Sequence, residues 1–263
     1  MALSSGARIN TPIGAYNALN ALNNVNSELS VRQLRLATGK RINSVGDDPS
    51  GYTIAKQMEA RSGMLSAAVN NVGDGQSMLA TAEQALQTIR DLFTTIQEKG
   101  VAATNPTSNT VALTSDVNQL RTEIGDIVAN TNFNGKKLFD SSFSSAFAID
   151  DQGNSLTIGF DAHSATFASV SSLDNIQTSI QSNIDGVETA LQTIGSYIQR
   201  LDVKASNLNS AITNIDSAKS RIYDADIAKE QLEASKLSIL QQTSVTELAQ
   251  ANASSQVFLT LFR

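Results

Sequence analysis

Residues 58–96 read MEARSGMLSAAVNNVGDGQSMLATAEQALQTIRDLFTTI. Within that stretch Met58, Leu65, Val72, Leu79, Leu86 and Phe93 stand seven apart without a break. Ala68, Ala82, Ile89 and Ile96 supply a second apolar position. Alternating three-four spacing holds one narrow stripe on a single side of a helix over many turns, which is the seam of a coiled coil. The pattern returns later in Val187, Ile194, Leu201, Leu208, Ile215 and Ile222, accompanied by Ile184, Leu191, Ile198, Ala205 and Ile212. Two such seams, one in each half of the chain, predict a mainly α fold: long antiparallel coiled-coil helices forming a rod.

The chain around these ladders suits slender helices. Its 263 residues contain no Trp and few aromatics, so packing depends on Leu, Ile, Val and Ala. The three prolines are Pro12, Pro49 and Pro106, and long helices require that scarcity because an interior proline breaks them. Asp48 before Pro49 marks a helix start, a carboxylate for the free amides followed by proline at the first helical position. The long helix is expected from Pro49 to about Lys99, with Gly100 and Asn105-Pro106 ending it. Gly73 and Gly75 inside it are read as points of close helix approach. A shorter helix is expected over about Thr110 to Ala129, with Val117, Leu120, Ile124 and Ile127 on one face. Asn132-Phe133-Asn134-Gly135 reads as a turn.

Between Lys136 and Phe160 the apolar period changes to two. Phe147 and Ile149, then Leu156, Ile158 and Phe160, flank Asp150-Asp151-Gln152-Gly153-Asn154, which predicts a small β-hairpin in the middle of the chain, around 136–160. A second long helix is expected from about Leu173, continuing to about Leu248.

The ends are the less charged parts. No charge occurs between Arg8 and Glu28, and the segment from Leu237 to Phe262 carries only Glu247. The leading helix, about Ala15 to Leu36, places Leu22, Leu29 and Leu36 seven apart, with Leu19 beside them. The trailing segment carries Leu232, Leu237, Leu240, Leu248, Leu261 and Phe262. Ordering such long tails costs more conformational entropy than their apolar side chains recover within one copy. Both ends are therefore expected to order when copies pack together, so that folding and assembly are coupled.

Composition excludes several chemistries. A net charge of -6 argues against a nucleic-acid role. Without cysteine there are no disulfides, thiol nucleophiles or thiolate metal sites. No window reaches the apolar length of a bilayer span, so no membrane role is expected. His163 is the single histidine, lies in a Ser-rich loop and has no orienting partner nearby in sequence. No His-Glu-x-x-His occurs, Asp150 to Asn154 lacks the spacing of a calcium loop, and Gly73-Asp74-Gly75 lacks the strand and lysine of a phosphate loop. No catalytic residue, cofactor or metal site is expected, and the protein is read as structural and not an enzyme.

Several ordered motifs resemble bacterial flagellin. At the front these are Leu36-Ala37-Thr38-Gly39-Lys40-Arg41-Ile42-Asn43-Ser44 and Asp47-Asp48-Pro49-Ser50-Gly51. Then come Asn70-Asn71, Asp74-Gly75, Ala82-Glu83-Gln84-Ala85-Leu86 and Asn132-Phe133-Asn134-Gly135. Towards the end, Ser220-Arg221-Ile222 with Asp224-Ala225-Asp226, Ile239-Leu240-Gln241-Gln242, Leu248-Ala249-Gln250-Ala251-Asn252 and the closing Leu259-Thr260-Leu261-Phe262-Arg263 are similar to the family signature. The resemblance covers about 10–140 and 173–263, so the outer domains inserted in many flagellins are expected to be absent.

That resemblance implies an inner filament-core domain from 1–43 and 224–263, built of paired terminal helices, and a rod-like helical domain from 44–223. It implies a chain that polymerises with itself into the flagellar filament used for swimming. The residues expected to carry self-assembly are Leu19, Leu22, Leu29, Leu36, Leu232, Leu237, Leu240, Leu248, Leu261 and Phe262. Arg41, Asp47, Asp48, Arg221 and Asp224 are expected as helix caps or charges at the domain junction. Implied partners are the flagellar cap, hook-associated proteins and an export chaperone binding the C-terminal segment. Met1 to Asn10 lacks the apolar core of a Sec-type signal, so secretion is expected through the flagellar channel, to a filament that is external, sheathed or periplasmic. Some flagellins carry a Gln-Arg-x-Arg-Glu-Leu stretch read by a Toll-like receptor. Here the corresponding residues are Thr94-Thr95-Ile96-Gln97-Glu98-Lys99, with both arginines replaced, which implies weak or absent activation. The alternatives are the hook–filament junction protein, which shares the terminal helices, and a secreted helical adhesin or effector.

Overall fold

The computed structural model describes residues 13–139, 143–159 and 176–261. Among them are five helices and four short strands: α1 (Ile13–Thr38), α2 (Pro49–Ala103), α3 (Thr110–Asn130), β1 (Asn132–Phe133), β2 (Lys136–Lys137), β3 (Ser145–Ala148), β4 (Ser155–Ile158), α4 (Ile176–Tyr223) and α5 (Ile227–Leu261). By contact the chain divides into two compact units, one from Met1–Glu59 with Asp216–Arg263 and the other from Ala60–Ile215.

The second unit is built on the two ladders. Leu65, Val72, Leu79, Leu86 and Phe93 of α2 are buried together with Val187, Ile194, Leu201 and Leu208 of α4 in one cluster. Helix α3 adds Val117 and Ile124, both at most 1 % exposed. The helices α2 and α4 run antiparallel: Gln76 Nε2 donates to Asp202 Oδ1 at 2.6 Å, while Gln97 Nε2 lies 3.5 Å from Gln181 Oε1. Leu191, Ile198, Ala205, Ile212 and Ile215 flank the cluster as partly buried neighbours. Seven-residue spacing thus becomes a continuous buried stripe, as two-helix packing requires.

Two antiparallel hairpins complete this unit. The expected one pairs Phe147 with Leu156 and Ala148 with Ser155. Its turn is held by Asp150 Oδ1, which accepts from the amides of Gln152 at 2.9 Å and Asn154 at 2.8 Å. These bonds, with the Asn154 side-chain amide foremost, hold the Asp150 carboxyl below its usual range. That explains the acidic turn without a bound cation. A second hairpin pairs Asn132 with Lys137 and Phe133 with Lys136. Asn134 and Gly135 both adopt positive φ, 50° and 79°, the two-residue turn that matches strand twist. The turn is legible in the sequence; strands of two residues each are too short to show an alternation. Of the two glycines in α2, Gly75 faces Leu201 and Phe147, whereas a Cβ on Gly73 would meet open space. Close approach therefore applies to Gly75 alone.

Two helix limits differ from expectation. Helix α2 runs through Gly100 to Ala103, because a single glycine only weakens a helix already anchored by Ile96 in the core. The trailing helix is not continuous to Leu248. It breaks after Tyr223, where Lys40 and Asp224 form an antiparallel bridge and the Ala225 amide donates to the Gly39 carbonyl at 2.9 Å. Asp226 restarts it as α5, accepting from the amides of Ala228 and Lys229 at 3.0 and 3.2 Å. Gly39 ends α1 at φ 68°.

The start of α2 is a tight cap. The Gly51 amide donates to Asp48 Oδ1 at 2.9 Å. A Cβ on Gly51 would overlap the Asp48 carboxylate and come within 2.8 Å of Ile42 Cδ1, and Ile42 is 1 % exposed. Gly51→Ala is expected to expel the cap and destabilise the first unit by about 1–2 kcal/mol. Thermal denaturation checks this, and an unchanged or raised melting temperature would contradict it.

Candidate assembly surface

The first unit brings together the first and last helices, α1 and α5. Helix α1 packs on α5, and their directions are opposed, since Arg32 meets Glu230 while Asn26 meets Gln241. On α1 the inward positions are Ala15, Ala18, Leu22, Val25, Leu29, Arg32 and Leu36, an unbroken three-four series of buried or partly buried residues. On α5 the corresponding series runs Glu230, Ala234, Leu237, Gln241, Ser244, Leu248 and Ala251. This seam is thin. Among its described residues only Ala15, Ala18, Glu230, Ala234 and Leu237 are classed as buried.

The expected assembly residues divide into two sets. Leu22, Leu29, Leu36 and Leu248 are partly buried and Leu237 is buried, so these five serve the pair itself. Leu19, Leu232 and Leu240 are exposed, with Leu232 at 72 %. Leu261 is the last residue of α5, its side chain beyond the described part, and Phe262 lies outside the described residues.

Sequence reading missed the residues opposite the seam. Ile13, Tyr16, Val31 and Leu34 are all exposed, and helical rotation places them on the far side of α1 from Ala18, Leu22 and Leu29, as two pairs about 27 Å apart along the axis. Ile239 of α5, 64 % exposed, shares an outward side with Leu232. The available signal was that α1 is apolar on two sides, which a simple search for one amphipathic stripe passes over.

The junction residues have distinct jobs. Arg41 Nε and Nη2 donate to the Ile222 carbonyl at 3.1 and 2.6 Å, closing the end of α4. Arg41 Nη2 also lies 3.7 Å from Asp48 Oδ2. Asp48 Oδ1 accepts from the Gly51 amide at the start of α2. Asp47 does not cap that helix: its Oδ2 accepts from the amides of Asn43 and Ser44, both at 2.9 Å, and these bonds hold its carboxyl below the usual value. Asp224 contributes its backbone to the bridge with Lys40. Arg221 lines a cleft of about 420 Å³ with Arg32, Arg35, Asp226, Lys229 and Glu233. The cleft is lined mainly by charges of both signs, a poor receptor for a small molecule. Among the described residues no cluster of His, Cys, Asp or Glu is placed to hold a metal, and no helix is long and apolar enough to cross a membrane. His163 lies outside the described residues.

Comparison with known proteins matches both halves. The bacterial flagellin N-terminal helical region matches residues 9–144, and the bacterial flagellin C-terminal helical region matches residues 171–262. Flagellin FljK of Caulobacter vibrioides is 33 % identical over an alignment covering 100 % of both chains. The flagellin of Halalkalibacterium halodurans is 32 % identical, covering 94 % of this chain and 97 % of its own. Among solved structures, Bacillus cereus flagellin aligns at 25 % identity with 56 % of this chain and 88 % of its own, with a TM-score of 0.41. Paired ends, a ladder-built helical unit and relatives matched over their whole length agree: the chain belongs to the bacterial flagellin family and is a structural subunit of the flagellar filament.

Proposed function

We propose that the unit made of the two chain ends forms the inner wall of the filament, and that the outward apolar faces of α1 and α5 are its contacts between copies. The 44–223 segment then forms the outer rod. One observation carries this reading: Ile13, Tyr16, Val31 and Leu34 stand exposed on the side of α1 away from its partner helix, with no shelter among the described residues. Large apolar side chains left exposed on the face of a helix turned away from its partner are candidates for a contact surface. Repeating a contact between unlike faces without closure gives a helical polymer.

Finer partners follow from the family resemblance. The chain would leave the cell through the flagellar channel, with a chaperone covering its C-terminal segment. It would add beneath the flagellar cap, on hook-associated proteins, and stand outside the cytoplasm. Weak receptor activation is part of the same proposal. Ile96 of the Thr94–Lys99 stretch is buried in the core and Lys99 pairs with Asp116 at 2.7 Å. Reporter cells expressing the receptor should respond far less than to a flagellin bearing the two arginines, and equal potency would overturn that expectation.

Seeded growth tests the main proposal. Purified protein, mixed with short filament fragments and a precipitating salt, should extend them to micrometre filaments under the electron microscope. Rings or short stacks would favour the junction protein, and persistent monomer an adhesin.

A further inference from the structure

The seam between α1 and α5 is built of repeats that can slide. On α1, Ala15, Leu22, Leu29 and Leu36 recur every seven residues, with Ala18 and Val25 between them. On α5, Leu237, Ser244 and Ala251 recur likewise, with Ala234, Gln241 and Leu248 between them. A slip of one heptad, about 10 Å along the axis, sets a small or aliphatic side chain against another of its kind except at Gln241. Apolar packing alone therefore separates the registers weakly.

Three positions break the repetition, Gln241 among them, and the other two meet. Arg32 stands where the series of Ala18 and Val25 calls for a third apolar residue, and Glu230 opens the α5 series. Arg32 Nη1 donates to both carboxylate oxygens of Glu230, at 2.9 and 3.2 Å. Arg35, one turn further on, brings its Nη1 to 3.5 Å from Glu230 Oε1. Glu230 is only 6 % exposed, and it is the one charged residue among the buried side chains described. In the register slipped towards the start of α1 that carboxylate would face Val25 in the seam without its two guanidinium partners, and the opposite slip would carry it past Thr38, the end of α1, and forfeit the pair as well. A charge left unpaired in a buried place costs far more than a displaced methyl contact, and a single polar seam position is a known device for fixing register.

We infer that Arg32, Arg35 and Glu230 are the registration key of the paired ends, selecting the one antiparallel register in which α1 accepts α5. These are positioning residues: they act on how the ends align and leave the outward apolar faces untouched. The key operates in a single chain, so it does not depend on which surfaces touch in the polymer. Its value would be greatest where many identical α1 and α5 helices crowd together, because slipped pairs would then compete.

The chain has no cysteine, so introduced pairs report register without interference. Asn26→Cys with Gln241→Cys reads the observed alignment, since Gln241 Nε2 donates to Asn26 Oδ1 at 2.7 Å. Asn26→Cys with Ala234→Cys, or with Leu248→Cys, reads a slip of one heptad in either direction. In the full chain, dilute and unassembled, oxidation should favour the 26–241 disulfide over both slipped ones by more than about tenfold. Adding Arg32→Leu with Glu230→Leu should bring the slipped disulfides to comparable yield while helix content by circular dichroism is kept. Arg32→Gln with Glu230→Gln serves as the polar control and should behave alike. Slipped disulfides that stay rare in both variants would overturn the inference. Loss of helix in both would overturn it too, since the triad would then supply stability and not alignment.

Discussion

Leu34→Glu combined with Leu232→Glu is expected to give a chain that folds as its parent does and forms no filaments. Leu34 is 50 % and Leu232 72 % exposed, so each new carboxylate stays in water in the single chain. Exposed substitutions of this kind change stability by at most about 0.5 kcal/mol. In the polymer the same positions would lie between copies. A carboxylate buried there without a partner costs about 3–5 kcal/mol, and 1.4 kcal/mol is already about a tenfold loss of affinity. Each copy repeats the penalty, so growth should stop altogether. Sedimentation and electron microscopy after seeding read the polymer, and circular dichroism reads the monomer. Truncation from Leu237 onward should act in the same direction, because it also removes the seam partner of α1. The soluble product should retain the second unit, and filaments of ordinary length from either chain would contradict the proposed surface.

The second large effect lies in the ladder core. Phe93→Ala is expected to lower the stability of the second unit by about 3–5 kcal/mol. Phe93 is 0 % exposed and packs in the same cluster as Leu86, Ile89 and Ile96 of its own helix and Val187 of α4. Removing its ring forfeits the transfer free energy and leaves a cavity that two long helices cannot collapse into without moving neighbouring rungs. For a unit of this size each kcal/mol shifts the melting temperature by about 2–4 °C, so a fall of roughly 6–20 °C should be seen. Val111→Ala, at a side chain 79 % exposed, is the control and should shift it very little. Equal shifts for the two would mean that the ladder is not the core.

Much of the fold is legible in the residues because the long helices carry their own periodicity. The three-four spacing in Leu65 to Phe93 and in Val187 to Leu208 needs no tertiary information to be read as a seam. Asp48-Pro49 likewise states its helix start locally; the Asn109 cap, whose Oδ1 accepts from the Ala112 amide at 3.1 Å, emerges from the structure. The break at Asp224 to Asp226 was harder, because it is imposed by a distant strand of chain, Gly39 to Arg41, crossing the end of α4. Asp224 and Asp226, acidic residues in an otherwise continuous pattern, mark it in the sequence.

The assembly surface was half legible. Leucines seven apart in the first helix are correctly read as one face, but in the structure that face is turned towards α5. Residues left for other copies, such as Tyr16 and Leu34, obey no period strong enough to stand out beside it. Arg32 and Glu230 were also missed, since a charge at a seam position reads as an ordinary surface residue until its partner, 198 positions away, is known.

Amide hydrogen exchange of the dilute monomer and of the assembled filament tests the central claim most directly. In the monomer, α1 and α5 should exchange orders of magnitude faster than the buried stretches of α2 and α4, because their seam is thin and their outer faces lie open. On polymerisation both helices should gain protection along their length, the outward residues Tyr16, Leu34 and Leu232 included. Protection of α1 and α5 in the free monomer equal to that of Leu79 to Phe93, unchanged on assembly, would contradict it.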